Sequence, residues 1–185
     1  MKARARSRNS SRKFDYGRLA LPLGLVVIIA ILVSYIVLND LPLPSLVPVP
    51  DLSTEGYTEI MVGVNVTDVA GIVSMSGNCR ELSVTIDRAQ ALSIANGING
   101  VITERPNTHD LMKDLLNSLD AKILMVKITD MRNSTYYSEM IVRERNLIVS
   151  FDSRPSDALA VSARTSYPIP IYIRNDILDA GVKIC

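Results

Sequence analysis

The sequence predicts an α+β domain carried behind one N-terminal transmembrane helix. Three observations predict it. Strand-like segments come in two blocks of three, each followed by helix, instead of alternating one for one with helices. Two closely similar helix starts, Glu104-Arg-Pro-Asn-Thr-His-Asp-Leu111 and Ser153-Arg-Pro-Ser-Asp-Ala-Leu159, lie after the two blocks. Residues 19–38 form a 20-residue run without a charge, long enough to cross a bilayer core of about 30 Å as a helix.

The N-terminus divides into three parts. Residues 1–18 are basic, with seven Lys and Arg against the single Asp15. Residues 19–38 are apolar on every helical face, which disfavours a soluble core helix. The flanking charges put the basic end in the cytoplasm and the rest outside, at the cell membrane. A cleaved signal peptide is the runner-up, disfavoured by the length of the run and the lack of a small-x-small cleavage site. Residues 39–51 contain four prolines between 41 and 50 and read as an extended tether.

Residues 52–185 form the predicted globular domain. Residues 57–66, 71–76 and 81–86 read as strands, with a turn at Gly77-Asn78. Asp87 caps a helix over 88–96, closed by Gly97 and Gly100. A helix over 108–119 carries Leu111, Leu115 and Leu119 at helical spacing, capped by Asn107 or Thr108. Strands follow over 121–129, 135–143 and 146–151, then a helix over 155–165, a short strand at 171–173 and a final helical turn at 176–180. The repeated order of three strands and an Arg-Pro helix start points to an internally duplicated unit.

Charge and cysteine content narrow the function. The whole chain has a net charge of +1, but residues 52–185 hold 13 Lys and Arg against 16 Asp and Glu, a balance of −3. That argues against a broad basic footprint for nucleic acid while leaving room for a local basic pocket. Cys79 and Cys185 read equally as a disulfide or as two free thiols, and no zinc-ligand spacing is present. Asn65 and Asn133 match the glycosylation acceptor pattern.

The chemistry concentrates at the two helix starts. His109, the single histidine, is the natural general base. Asp110 and Asp157 can hold a divalent metal, Mg²⁺ or Mn²⁺, through hard oxygen ligands. Arg105 and Arg154, with Thr108 and Ser156, can bind a phosphate and stabilise charge on it. A structural reading competes: both aspartates sit where any helix favours an acid, and Arg105 and Arg154 can pair with Asp157 and Asp110 in an ion-pair network. Tyr136, Tyr137 and Glu139 alternate along a strand, as a solvated face or the wall of a groove.

Taken together, ERPNTHDLMKDLLNSLDAKI, the strand beginning Thr135-Tyr136-Tyr137, SRPSDALAVSARTSYPIPIYI and the closing Ile177-Leu-Asp-Ala-Gly181 resemble the bifunctional nuclease domain family, over about residues 58–183. The resemblance implies an α+β domain and a hydrolase of phosphodiester bonds in RNA and DNA. Carried over by position, its prominent polar residues are Arg105, Pro106, Thr108, His109, Asp110, Arg154, Ser156 and Asp157. The chain departs from the family pattern between Glu81 and Gly100 and in its anchor and tether. The expected partners are the membrane, through residues 19–38, a nucleic acid or other phosphate-containing ligand, and a second copy of the chain. The alternative is a non-catalytic extracytoplasmic ligand-binding or assembly domain of the same fold.

Overall fold

The computed structural model describes residues 24–35 and 50–185. The chain divides into two units, Met1–Ser45 and Leu46–Cys185. In the first, residues 24–35 form helix α1, and its apolar side chains are exposed. Among the described residues no helix is long and apolar enough to cross a membrane. The remainder of the predicted 19–38 span, the basic segment 1–18 and most of the tether 39–51 lie outside the described residues.

The second unit is a mixed α+β domain of two sheets and four helices. Strand β1 (Tyr57–Glu59) and β2 (Met61–Val66) replace the single predicted strand over 57–66. The break falls at Ile60, which is buried and whose N–H donates to Ile171 O at 2.9 Å. The chain changes sheets there: β1 pairs with β8 (Ile171–Arg174) and β2 with β3 (Ala70–Gly77). Periodicity continued through Ile60, so the sequence showed one strand where two sheets take one half each.

Strands β3 (Ala70–Gly77) and β4 (Arg80–Asp87) complete the first block. Their turn sits at Asn78-Cys79, one residue later than predicted, and both residues have positive φ, 46° and 60°, as a two-residue hairpin with native twist requires. Helix α2 (Arg88–Ile98) follows, with Asp87 Oδ1 accepting from Ala89 N at 2.8 Å. Helix α3 (Thr108–Ser118) leads into β5 (Ala121–Arg132), β6 (Thr135–Glu144) and β7 (Leu147–Ser153). Helix α4 (Pro155–Ser162), β8 (Ile171–Arg174), α5 (Asn175–Asp179) and a strand absent from the sequence reading, β9 (Val182–Lys183), close the chain.

Each predicted block becomes an antiparallel meander. One sheet has the order β2-β3-β4-β9, the other β1-β8-β5-β6-β7, with only β5 and β8 parallel. Cys79 and Cys185 are joined in a disulfide, which ties the C-terminus and β9 to the β3–β4 turn. Lys127, 3% exposed, is satisfied by Asp51 O and Ser53 O at 3.0 and 2.6 Å and lies over the Tyr57 ring, so the chain entering the domain is fastened to β5.

Helix α4 is the centre of the core. Its Leu159 and Ala160 join Ile94, Ile128, Ile173 and Leu178 in one apolar cluster. Its Ala158 and Val161 join Ile123, Val126, Met140 and Val142 in another. Glycines let α2 come close enough to matter: a Cβ on Gly71 would overlap that of Ala91, and one on Gly97 would stand 2.9 Å from Ala163 Cβ. Helix α2 is thereby held against β3 and α4, and α3 packs on α4 and β5. The two helix starts are brought together at one end of this arrangement.

Candidate active site

Helix α3 begins with a reciprocal cap. Asn107 Oδ1 accepts from the N–H groups of His109 and Asp110 at 2.8 and 3.1 Å, and Asp110 Oδ2 accepts from Asn107 N at 2.9 Å. This folds Asp110 inward, where Arg164 Nε donates to its Oδ1 at 2.5 Å. Arg164 also donates to Ala160 O, Ser93 O and Ser93 Oγ at 2.6, 2.9 and 3.2 Å. The pair is nearly sealed, with side-chain exposures of 5% and 11%. Burial works against the Asp110 charge, but the Arg164 and Asn107 hydrogen bonds outweigh it and hold the carboxyl below its ordinary pKa.

The same cap aims His109 across to the second helix start. Its Nδ1 lies 2.9 Å from Ser93 Oγ on α2, and its Nε2 lies 3.4 Å from Asp157 Oδ1 on α4. Asn107 Nδ2 and Arg164 Nη2 both donate to Ser93 Oγ, at 3.3 and 3.2 Å. The hydroxyl is thus left to donate to Nδ1, which assigns the ring proton to Nε2, facing Asp157. Asp157 is gripped from its own segment by Arg154, through Nε at 2.7 Å and Nη2 at 3.1 Å. Its burial is outweighed by the bonds from Arg154 and His109, so its pKa too is lowered. The Arg154 Nη1 group has no partner among the described residues.

His109, Asp157, Arg154 and Thr108 stand at the edge of a cleft of about 640 Å³. Its wall is apolar: Met112 and Leu115 of α3, Leu119 just after it, and Phe151 of β7. The apolar stripe of α3 is therefore largely exposed, with Leu111 and Leu115 at 65% and 50%. Ser156 points to a different cavity on the other side of α4's first turn, which it shares with Arg154.

Most of the residues singled out from the sequence meet here, with different partners from those expected. Arg154 pairs with Asp157, its neighbour on α4, and Asp110 with Arg164, which sequence reasoning missed. Arg105 is exposed, has no side-chain partner among the described residues and is not among those lining the cleft. Ser93 was missed as well. Its signal was a polar residue within the apolar face of a helix, beside Ile94 and Gly97. Of the alternating tyrosines, Tyr137 is exposed, with Arg132 over its ring, and Tyr136 lines the cavity beside Ser156.

For the expected divalent metal, the donor set is thin. Among the described residues no group of three or more His, Cys, Asp and Glu is placed to hold a metal ion. Both Asp110 oxygens are engaged by Arg164 and the helix cap, so an Asp110–Asp157 pair of ligands would have to displace Arg164.

Comparison with known proteins agrees with the resemblance. A family model described as the bifunctional nuclease domain matches residues 72–183. An uncharacterised protein of Mycobacterium tuberculosis is 38% identical over 106 residues, covering 57% of this chain and 62% of that protein. Bifunctional nuclease 2 of Arabidopsis thaliana is 25% identical over 93 residues, 49% of this chain and 28% of that protein. Bifunctional nuclease 1 of Oryza sativa subsp. indica is 22% identical over 106 residues, 56% and 32% of the two chains. The chain spans less than two thirds of the length of each of these relatives. With a match running from within β3 to the end of β9, over more than half its length, the chain belongs to the bifunctional nuclease domain family.

Proposed function

We propose that this protein is a nuclease that hydrolyses phosphodiester bonds of RNA or DNA at the cleft where His109, Asp157 and Arg154 meet. The observation that carries the reading is the convergence of the two helix starts on one open site, with His109 Nε2 3.4 Å from Asp157 Oδ1 and the Arg154 fork on the same carboxylate. Arg154 Nη1 is free to bind a phosphate oxygen and stabilise charge developing there. A water oxygen bonds to phosphorus and the ester P–O bond breaks. The Asp157 carboxylate takes the proton lost by the water, His109 Nε2–H gives one to the leaving oxygen, and Asp157 then returns its proton to Nε2. Ser93 and Asn107 hold the imidazole in place. If Mg²⁺ or Mn²⁺ takes part, Asp157 together with phosphate oxygens of the substrate would hold it, and Asp157 would give up an Arg154 or His109 contact to do so.

The test is cleavage of single-stranded RNA and DNA by the full-length protein, with and without Mg²⁺ or Mn²⁺. His109→Ala is expected to lower the rate by at least about 100-fold, the usual reach of a positioned acid–base group. Cleavage that survives this change removes His109 from the mechanism.

The domain's location belongs to the same proposal. The disulfide between Cys79 and Cys185 favours an oxidising compartment, in keeping with residues 19–38 as a membrane anchor and the domain outside. This placement and the acidic balance favour one second reading, a non-catalytic ligand-binding or assembly domain. Protease added outside intact cells should digest the domain; protection until lysis would overturn the placement.

A further inference from the structure

The first turn of α4 separates two cavities, and the second is not explained by the proton chemistry. It encloses about 320 Å³ between β3, β4 and the β5–β6 hairpin, within the roughly 300–1,000 Å³ range of ligand pockets. Its walls are apolar, including Met75, Ile86, Ile128 and Leu159. Arg154 is the one charged residue among those lining it, and no carboxylate is present. Among the described residues, the Gln90 carboxamide, the Tyr136 hydroxyl and the Ser156 hydroxyl, all lining it, have no hydrogen-bond partner. Burial alone raises the Tyr136 pKa, with no hydrogen bond offsetting it.

These features describe the recognition of a neutral, planar, polar-edged group attached to an anion. Apolar walls accept the faces of a ring. A carboxamide presents a donor and an acceptor in one plane, the pattern that pairs with a base edge. Arg154 lines both cavities, so a phosphate held there leaves the group attached to it within reach of the second. We infer that this cavity receives a nucleobase of the strand whose phosphate lies at Arg154 and His109, which makes the substrate single-stranded or locally unpaired nucleic acid. The inference rests on the phosphodiester reading above and assigns that site its base-binding half.

The experiment measures binding, not turnover. Full-length protein is titrated with adenosine and uridine 5′-monophosphates and with ribose 5-phosphate, which keeps the sugar and the anion but lacks the base. At least one nucleotide should bind about tenfold or more tightly than ribose 5-phosphate, as expected when one base is stacked and hydrogen-bonded. Combining Gln90→Leu with Tyr136→Phe should bring the nucleotides to within about twofold of ribose 5-phosphate. If the double variant does not fold, Tyr136→Phe alone, which removes one oxygen, should lose about fivefold for at least one nucleotide. Equal or absent binding of all three ligands, or discrimination that persists in the variants, overturns the base pocket. Base discrimination without cleavage would remove hydrolysis alone, whereas cleavage without base discrimination would remove the pocket alone.

Discussion

Arg164 shows how a single side chain organises the site without facing the cleft. Its guanidinium joins α4 to the α3 cap through Asp110 and to α2 through Ser93, so His109 is oriented by a residue that does not touch it. Arg164→Met leaves the Asp110 carboxylate buried and unpaired, and is expected to cost about 3–5 kcal/mol, measured by urea unfolding at pH 7. The pH dependence checks the cause. Asp110 has a lower pKa folded than unfolded, so its native form binds fewer protons. Its contribution is full above the unfolded carboxylate value of about 3.9 and is lost as pH falls through the folded value. The wild-type protein should therefore lose stability below about pH 4, and the gap to Arg164→Met should narrow there. An unchanged gap would mean that Arg164 acts through packing and its carbonyl contacts alone.

At the scale of elements, the start of α3 serves both fold and site. The Asn107 side chain satisfies two N–H groups of the first turn and sends its own amide to Ser93. Asn107→Ala is expected to lower stability by about 1 kcal/mol, visible as a lower melting temperature, and to slow cleavage by freeing His109. The elements themselves were largely legible. Asp87 and Asn107 are capping types in capping positions, and the paired Arg-Pro starts mark α3 and α4. The split at Ile60 was not legible, because an apolar residue continues a strand pattern whichever sheet takes it. Nor was the role of Ser93, a polar residue on the buried face of α2. Its role depends on α2 approaching α4, and Gly97 permits that approach without announcing it.

At the scale of the whole domain, β9 and the disulfide beside it complete the first sheet. Strand β9 adds to β4 through only two register pairs, and the Cys79–Cys185 bond across 106 residues of chain secures it. Cys185→Ser is expected to lower stability by about 2–4 kcal/mol, and reductant should shift the melting temperature of the wild-type protein and not of the variant. The sequence by itself determined the α+β class, the two strand blocks, the helix starts and their chemistry, because periodicity, caps and charge are local properties. It also determined the acidic balance that argues against a broad nucleic-acid surface. Tertiary structure alone decided that His109 reaches Asp157 instead of Asp110 meeting Asp157, that Arg164 neutralises Asp110, and that Cys79 meets Cys185. Each of these pairs joins positions far apart in the chain, and their distances depend on how the two sheets and α4 pack, which no local pattern encodes.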